Sequence, residues 1–251
     1  VYQLASRLGG VGEIKRSDFA SMRNATIDRH AFELAIVKGA SVLYCSTACV
    51  YRTDRQTQAD NDRLMREDDA LRDGAMPEST YGWYKIVAEE SLRALHRETG
   101  ISCAIVRMFN AFGPHEHLDL ESSHVIPALA MRAIQSRGPL IVWGSGEQRR
   151  SFLFTRDAAD GIITASERIG DGAPVNIGNP ERYKIADIAR MILDVLGTPN
   201  REVVFDTSKP QGVFTRAPDT TRALELLGWE PKVPFDVALR ETVEWVQSQI
   251  R

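Results

Sequence analysis

The alternation of short apolar segments with helical segments constrains the fold of this chain most strongly. Val1–Ala5, Ser41–Ser46 and Ser102–Met108 are short and apolar enough to form buried strands. Apolar residues at helical spacing separate them, over 21–38 and from Tyr81 onward. Strand, helix and strand at this pitch are typical of βαβ units, so we expect an α/β fold with a parallel sheet covered on both faces.

The second half of the chain has a mixed pattern. We expect helices at 125–137, 155–169, 184–196, 220–227 and 235–250, and strands at 141–143, 174–178 and 203–205. In the first half, the polar and acidic segment 53–75 predicts a loop over the surface. Ligands bind at the carboxyl edge of open α/β sheets, and we expect the second half to cap that edge.

The composition argues against several classes of partner. The 251 residues carry a net charge of −3, which gives no reason to expect nucleic acid or a membrane surface. No apolar run approaches the roughly 18 residues needed to span a bilayer, and we find no signal peptide. Three cysteines without paired spacing indicate a reducing compartment. We therefore expect a cytoplasmic protein.

Two groups of residues carry candidate chemistry. Tyr81 and Lys85 are four residues apart, so on a helix they lie on one face. A cation at that distance favours the phenolate, and the pair predicts a tyrosine acid/base whose pKa is lowered. Thr47 and Cys49 follow a predicted strand directly, where Thr47 is placed to bind a substrate oxygen and Cys49 to act as a thiol acid/base. The alternative for Cys49 is a small buried apolar side chain.

Histidines give a weaker signal. His115 and His117 have metal-ligand spacing, but no third ligand of a suitable type stands near them in the sequence. We read both as surface residues and expect no metal.

Several stretches, in this order, resemble the extended short-chain dehydrogenase/reductases that act on nucleotide sugars. They are Leu4-Ala5, Asn24, Ser46-Thr47-Ala48-Cys49-Val50-Tyr51, Tyr81-x-x-x-Lys85 and Arg107-x-x-Asn110-x-x-Gly113-Pro114. Within that family, stretches 123–129 and 203–212 look like GDP-L-fucose synthases, and 9–12, 48–51 and 150–152 are similar to GDP-mannose 3,5-epimerases as well. The resemblance implies a Rossmann-like, doubly wound parallel sheet with a smaller, mixed α/β substrate-binding domain.

The resemblance also implies the domain limits. Residues 1–110 would be the remainder of the Rossmann dinucleotide-binding domain, and 111–251 mainly the substrate-binding domain, with segments at about 139–170 returning to the Rossmann sheet. The Gly-x-x-Gly-x-x-Gly fingerprint, which precedes the Leu4-Ala5 strand in the family, does not occur in the sequence. We therefore expect the native protein to begin before Val1. The residue that selects NAD or NADP in this family belongs to the same absent stretch, so the sequence does not distinguish the two cofactors.

The site residues follow from the same resemblance. The catalytic set comprises Thr47, Cys49, Tyr81, Lys85 and His124. The residues implied to bind NAD or NADP are Leu4, Ala5, Asn24, Ser46, Tyr81, Lys85 and Met108, with Asn24 matching an asparagine of the sheet interior. The residues implied to bind the substrate are Gly10, Asn110, Val125, Arg150 and Arg216. Arg149 adjoins Arg150 in a predicted extended segment, where side chains alternate, so only one of the two should reach the ligand.

The implied function is an NAD(P)-dependent nucleotide-sugar epimerase. It would invert C3 and/or C5 of a 4-keto GDP-hexose, with or without reduction at C4, using Cys49 and His124 from opposite faces of the sugar ring. The alternative for His124 is a helix-start residue in contact with solvent. The family also implies a homodimer formed through the Tyr81 helix and its predecessor.

Two other functions remain open. A C4 epimerase or 4,6-dehydratase is the alternative enzyme, although a dehydratase of this family would show Asp-Glu after Thr47, where this chain has Ala48-Cys49. The alternative of another class is a sugar-nucleotide-binding protein without activity.

Overall fold

The computed structural model of the protein describes residues 1–7, 18–57, 62–72, 74–120, 122–209 and 212–250. These residues form strands and α-helices that short 3₁₀ turns connect. The strands are β1 (Tyr2–Gln3), β2 (Val42–Thr47), β3 (Cys103–Met108), β4 (Ala111–Phe112), β5 (Leu140–Trp143), β6 (Arg149–Arg150), β7 (Leu153–Phe154), β8 (Asp171–Ile177), β9 (Tyr183–Lys184), β10 (Val203–Asp206) and β11 (Thr215–Arg216). The helices are α1 (Met22–Lys38), α2 (Thr80–Thr99), α3 (Val125–Gln135), α4 (Thr155–Arg168), α5 (Ile185–Val195), α6 (Thr221–Leu227) and α7 (Phe235–Ile250).

A parallel sheet of four strands, in the order β1-β2-β3-β8, forms the core of the first half. The two central strands, β2 and β3, are apolar on both faces, as a sheet with two covered faces requires. Helices α1 and α2 pack on one face, around Phe32, Tyr44 and Leu92. Helices α4 and α6 pack on the other, around Val106 and Trp229. The expected doubly wound, Rossmann-like α/β fold is therefore confirmed.

Two glycines end the helices that flank β2 and β3. Gly39 follows α1 with a φ of 57°, and Gly100 follows α2 with a φ of 72°. These left-handed conformations carry no steric cost for glycine, so each helix stops where the next strand must begin.

Part of the second half lies outside the main sheet, in small sheets and a separate helical core. Helices α3, α5 and α7 pack on one another around Leu129, Ile188 and Val243. Strand β5 pairs with β10, and β4 pairs with β7. A third small sheet has the order β11-β6-β9, and it carries the arginines that were expected to bind the substrate.

The expectation of a surface loop over 53–75 is wrong for the part that the structure describes. Gln56, Met65, Glu67 and Asp69 are all buried in it. The polar ones have partners inside the protein; the Glu67 carboxylate, for example, accepts a hydrogen bond from the N–H of Asn176 at 2.8 Å. Polarity along the sequence indicates exposure only when no such partner exists elsewhere in the chain.

The segment that returns to the main sheet also differs from the expected range of about 139–170. Strand β5 lies within that range but pairs with β10, outside the main sheet. Helix α4 packs on β3 as expected, and the returning strand is β8, which lies just beyond the range and pairs with β3. A helix that crosses over the sheet before the returning strand is the usual way to add a parallel strand.

Candidate active site

The end of β2 places two of the expected catalytic residues at the carboxyl edge of the sheet. Thr47 is the last residue of β2, and its hydroxyl accepts a hydrogen bond from the N–H of Cys49 at 3.2 Å. This bond caps a 3₁₀ turn over Ala48–Val50, a role that suits a short hydroxyl side chain. The turn presents the thiol of Cys49, which is partly buried.

A glycine allows α2 to pack directly on this turn. A Cβ at Gly82 would lie 2.4 Å from the carbonyl oxygen of Cys49 and 2.6 Å from the Cβ of Pro77. Only a residue without a side chain permits this approach. Tyr81 and Lys85 are buried one turn apart on the same helix, so the predicted pairing on one face is confirmed.

The pKa of Tyr81 is raised, so the expected lowering is wrong. Burial of the phenol is the largest cause, and the negative charge of a Cys49 thiolate adds to it, while two nearby hydroxyl groups oppose the rise. The ammonium of Lys85 does not reverse this effect. It lies 5.7 Å from the centre of the Tyr81 ring and donates its hydrogen bond to the carbonyl of Cys45 at 2.8 Å. Burial also lowers the pKa of Lys85 itself.

Arg216 joins a distant part of the chain to Cys49. Its Nη1 lies 3.6 Å from the Cys49 Sγ, although 167 residues separate the two in sequence. Its Nε donates to Oε1 of Gln56 at 2.5 Å, and its Nη2 donates to Oε2 of Glu78 at 3.3 Å. These two partners hold the buried guanidinium in place, where it can pair with a thiolate.

Arg150 lies beside Arg216 across the β6–β11 pair. Its guanidinium donates to the backbone carbonyls of Val213 and Phe214. Burial lowers the pKa of Arg150, and the charge of Arg216 lowers it further. Two neighbouring cations destabilise each other in a buried place, so a bound anion would stabilise both.

Asn110 and Val125 connect the site to the rest of the fold. Asn110 has a φ of 39°, and its Nδ2 donates to the carbonyl of Ser151 at 2.8 Å. It thereby holds the end of β3 against the residue that follows β6. Val125 begins α3 and packs against the core of the second half.

His124 lies just before α3 and faces a carboxylate. Its Nδ1 is 2.5 Å from Oε1 of Glu116, and its side chain is 54% exposed. The hydrogen bond raises the pKa of His124, against a smaller opposing effect of burial. Within the described residues, no contact joins His124 to Cys49 or Tyr81. The structure therefore brings Thr47, Cys49 and Tyr81 together and does not connect His124 to them.

The residues expected to bind the cofactor fall into two groups. Leu4 and Ala5 follow β1, and Met108 ends β3, all near the carboxyl edge of the sheet. Asn24 is buried, and its side-chain amide binds the backbone of Arg7 after β1. The amide oxygen accepts a hydrogen bond from the N–H of Arg7 at 2.7 Å, and the amide nitrogen donates to the carbonyl of Arg7 at 3.1 Å.

The side chain of Ser46 points away from the site. Its hydroxyl donates to Oε1 of Glu89 at 2.5 Å, in the packing between β2 and α2. Gly10, expected at the substrate, lies outside the described residues.

A buried ionic network behind the site was not anticipated. Arg107 on β3 donates to both carboxylate oxygens of Glu89, at 3.0 and 2.7 Å. Tyr51, which follows the thiol-bearing turn, donates to Oδ1 of Asn176 at 2.6 Å and lies 3.4 Å from Nη1 of Arg107. The sequence held one signal of this network, because Glu89 lies one helical turn after Lys85 on the same face. Gln56 and Glu78, the partners of Arg216, had no such signal.

Two features are absent from the described residues. No helix among them is long and apolar enough to cross a membrane. Nor do the described parts bring together three or more histidine, cysteine, aspartate or glutamate side chains that could hold a metal ion.

The doubly wound sheet, with a Tyr-x-x-x-Lys pair at its carboxyl edge, defines a protein of the short-chain dehydrogenase/reductase type. Residues 1–178 match the sequence pattern of the NAD dependent epimerase/dehydratase family. The chain belongs to that family.

Known proteins are similar to this chain in sequence, and a solved structure is similar to it in fold. GDP-mannose 3,5-epimerase of Arabidopsis thaliana is 31% identical over 252 residues, covering 100% of this chain and 65% of the plant protein. GDP-L-fucose synthase of Sinorhizobium fredii is 28% identical over 260 residues, covering 100% of this chain and 79% of that protein. The crystal structure of UDP-glucose 4-epimerase from Thermotoga maritima superimposes with a TM-score of 0.86 at 23% identity, covering 100% of this chain and 78% of that one. The chain thus spans 65% of the length of the plant epimerase.

Proposed function

We propose that the protein is an NAD(P)-dependent nucleotide-sugar epimerase that inverts C3 and/or C5 of a 4-keto GDP-hexose. The observation that carries the proposal is the convergence of Thr47, Cys49 and Tyr81 at the carboxyl edge of the sheet, with Arg216 against the thiol. Family membership supports a nicotinamide cofactor. The names of two relatives that match the whole chain support a GDP-linked sugar.

The residues at the start of α2 fit a nicotinamide dinucleotide. Lys85 is buried, and within the described part of the chain its ammonium donates one hydrogen bond, to Cys45, which leaves N–H groups for ribose hydroxyls. Tyr81 and Lys85 would hold the cofactor with Leu4, Ala5 and Met108, while Asn24 and Ser46 would act through the backbone and helix that they hold. When bound, the nicotinamide would take a hydride from C4 of a sugar that enters with a C4 hydroxyl, which gives the 4-keto form, and would return a hydride to C4 of that ketone.

Tyr81 and Thr47 would form hydrogen bonds to the oxygen on C4. Because burial raises the pKa of Tyr81, the phenol keeps its proton at neutral pH and is suited to donate a hydrogen bond to a ketone oxygen. A carbonyl polarised in this way acidifies the hydrogens on C3 and C5.

Cys49 and His124 would exchange protons with the acidified carbons. The Cys49 thiolate, beside the Arg216 cation, would take a proton from carbon. A second acid must return a proton on the opposite face of the ring. We assign this role to His124, because the Glu116 carboxylate raises its pKa and so favours the protonated imidazolium.

The remaining substrate residues would bind the nucleotide diphosphate. Arg150 and Arg216 present two neighbouring cations, and arginine matches the geometry of phosphate oxygens. Asn110, Val125 and Gly10 complete the proposed set. Together they would hold the sugar between Cys49 and the opposing acid.

Product analysis tests the proposal. The full-length protein is incubated with GDP-mannose and with its 4-keto-6-deoxy derivative, each with NAD(H) and NADP(H), in D₂O, and the sugars are read by NMR. Cys49→Ser should abolish deuterium exchange into C3 and C5 and leave substrate affinity within a few-fold, whereas Cys103→Ala, in a buried strand, should retain exchange. Tyr81→Phe should instead suppress oxidation or reduction at C4.

Other results would point elsewhere. Unchanged exchange in Cys49→Ser removes Cys49 from the mechanism, and inversion at C4 alone supports the alternative epimerase. Absence of turnover with every sugar and cofactor supports a binding protein.

We further propose a cytoplasmic homodimer. Apolar side chains stand exposed on the outer sides of α1 and α2, among them Val37 and Val87. The three free cysteines suit a reducing compartment.

A further inference from the structure

A second basic site lies on the small β11-β6-β9 sheet, away from Cys49. In the antiparallel β6–β9 pair, Arg149 faces Lys184 and Arg150 faces Tyr183. Because alternate strand residues point to opposite faces, Arg149 and Lys184 share the face that Arg150 does not. A cavity of about 310 Å³ opens beside Arg149 and Lys184. Its lining comprises Asp62, Arg149, Pro180, Arg182, Tyr183, Lys184 and Asp187.

The charges of this outer cavity favour an anion. Its lining contains three cations and two carboxylates. The Asp187 carboxylate is engaged by Arg190 at 3.2 Å on its own helix, and Lys184 reaches Glu147 at 2.8 Å. The remaining carboxylate, that of Asp62, therefore balances most of the positive charge of Arg149 and Arg182.

Asp62 occupies the position that an external anion would take. Its Oδ1 lies 3.3 Å from Nη1 of Arg149 and 3.6 Å from Nη1 of Arg182. Its side chain is 72% exposed. The Arg149 side chain is also partly exposed, and ion pairs in contact with solvent are weak, so a competing anion can displace the carboxylate.

Arg182 is the anchor of the cavity. Its side chain is only 13% exposed, and its Nη2 donates to the carbonyls of Asp62 and Arg63, each at 3.0 Å. Its Nε is buried and finds no acceptor among the described residues. Burial and the charge of Arg149 lower the pKa of Arg182, and Asp62 only partly opposes them. An additional acceptor beside this guanidinium would give the buried Nε–H of Arg182 a hydrogen-bond partner.

We propose that this cavity binds a phosphate group, with the Asp62 carboxylate as an internal competitor. Arg149, Arg182 and Lys184 would donate to the phosphate oxygens after the Asp62 side chain turns into solvent. The volume suits a small ligand, either free phosphate or one phosphate of a nucleotide. The site is independent of the proposed epimerase chemistry, because Arg216 contacts Cys49 and neither Arg216 nor its neighbour Arg150 lines this cavity.

Phosphate titration of the full-length protein tests the site. Binding of inorganic phosphate is measured by calorimetry and by the ¹⁵Nε–H resonances of arginine, with pyrophosphate and GDP as parallel probes. Arg149→Gln should weaken phosphate binding about tenfold, as expected for the loss of a charge-assisted hydrogen bond. Asp62→Asn should tighten it by up to about fivefold, because the internal competitor is removed. Preference for GDP over inorganic phosphate would identify a nucleotide as the source of the phosphate if Arg149→Gln removes that preference and Arg150→Gln retains it.

A matched ion pair on α1 controls for charge. Arg29 and Glu33 form an exposed pair at 2.8 Å, far in sequence from the cavity. Arg29→Gln and Glu33→Gln make the same changes in net charge and should leave phosphate affinity unchanged. Lys184→Gln repeats the test of Arg149→Gln at a second exposed position.

Three results would overturn the proposal. One is the absence of saturable phosphate binding, and another is an Asp62→Asn variant that binds no tighter than Glu33→Gln. The third is binding that Arg150→Gln abolishes and Arg149→Gln does not change, which would place the phosphate beside Cys49.

Discussion

At the scale of single residues, Arg216 decides the chemical character of the site. Its guanidinium contacts the Cys49 sulfur while Gln56 and Glu78 hold the other two nitrogens. The partly buried thiol therefore faces a fixed cation. The Lys85 ammonium lies 5.7 Å from the centre of the Tyr81 ring, and burial raises the pKa of Tyr81. In the proposed mechanism the two side chains would have opposite tasks, with Cys49 accepting a proton from carbon and Tyr81 keeping its own.

The Glu116–His124 pair gives a prediction for single residues. The pKa of His124 is raised by its hydrogen bond to Glu116, so proton binding favours the folded state. The stabilisation is fully present below the ordinary histidine pKa of about 6.5 and is lost as pH rises through the folded-state value. Glu116→Gln should lower the pKa of His124 and reduce the free energy of unfolding near pH 6, with little change near pH 9.

An NMR titration of the His124 ring and thermal unfolding at the two pH values measure both effects. Glu98→Gln, an exposed carboxylate on α2, serves as the control. An unchanged pKa for His124 in Glu116→Gln would show that the carboxylate does not hold the proton in solution.

At the scale of elements, α2 organises the site from one face. Tyr81, Lys85 and Glu89 follow one another at intervals of one turn and are all buried. Tyr81 faces the thiol-bearing turn, Lys85 donates to the carbonyl of Cys45, and Glu89 accepts from Arg107. The helix is thereby fixed at three points along its length, which sets the position of the phenol relative to β2.

Close packing of α2 on the thiol-bearing turn predicts the effect of Gly82→Ala. Alanine favours a helix by about 1 kcal/mol over glycine, but the new Cβ would meet the backbone of Cys49 at 2.4 Å. Backbone cannot yield as a flexible side chain does, so overpacking should dominate and destabilise the protein by about 1–3 kcal/mol. Denaturant unfolding measures the loss, and deuterium exchange at C3 and C5 should fall with it.

Gly138→Ala is the matched control. A Cβ at Gly138 would lie 3.6 Å from the nearest atom, the Ser136 hydroxyl, which is an ordinary contact. Equal stability of the two variants would mean that the helix approaches the turn less closely than the structure shows.

At the scale of the whole molecule, the outer sides of α1 and α2 are the surface proposed for the dimer. Val37 on α1 is 79% exposed and Val87 on α2 is 58% exposed. Val87→Glu would place a charge in that interface, and we expect it to weaken dimerisation at least tenfold, since a buried unpaired charge is strongly unfavourable. Sedimentation velocity on the full-length protein measures the change.

Leu226→Glu controls for the added charge, because Leu226 is an exposed apolar residue on α6, which packs on the other face of the sheet. A monomeric wild type, or a Val87→Glu variant that dimerises as tightly as Leu226→Glu, would contradict the proposed interface.

The sequence by itself determined the local structure and the kind of fold. Apolar runs bounded by Gly39 and Gly100 define β2, β3 and the helices beside them, because strand and helix periodicity depend only on neighbouring residues. Tyr81 and Lys85 could be paired for the same reason, since four residues make about one turn.

Only the tertiary structure decided how distant segments meet. The contact between Arg216 and Cys49 spans 167 residues, and no local sequence pattern predicts it. The buried partners of segment 53–75, the pairing of β5 with β10 and the raised pKa of Tyr81 depend on long-range packing in the same way. Burial and electrostatic interaction are properties of what surrounds a residue in space, and the order of residues along the chain specifies them only through the completed fold.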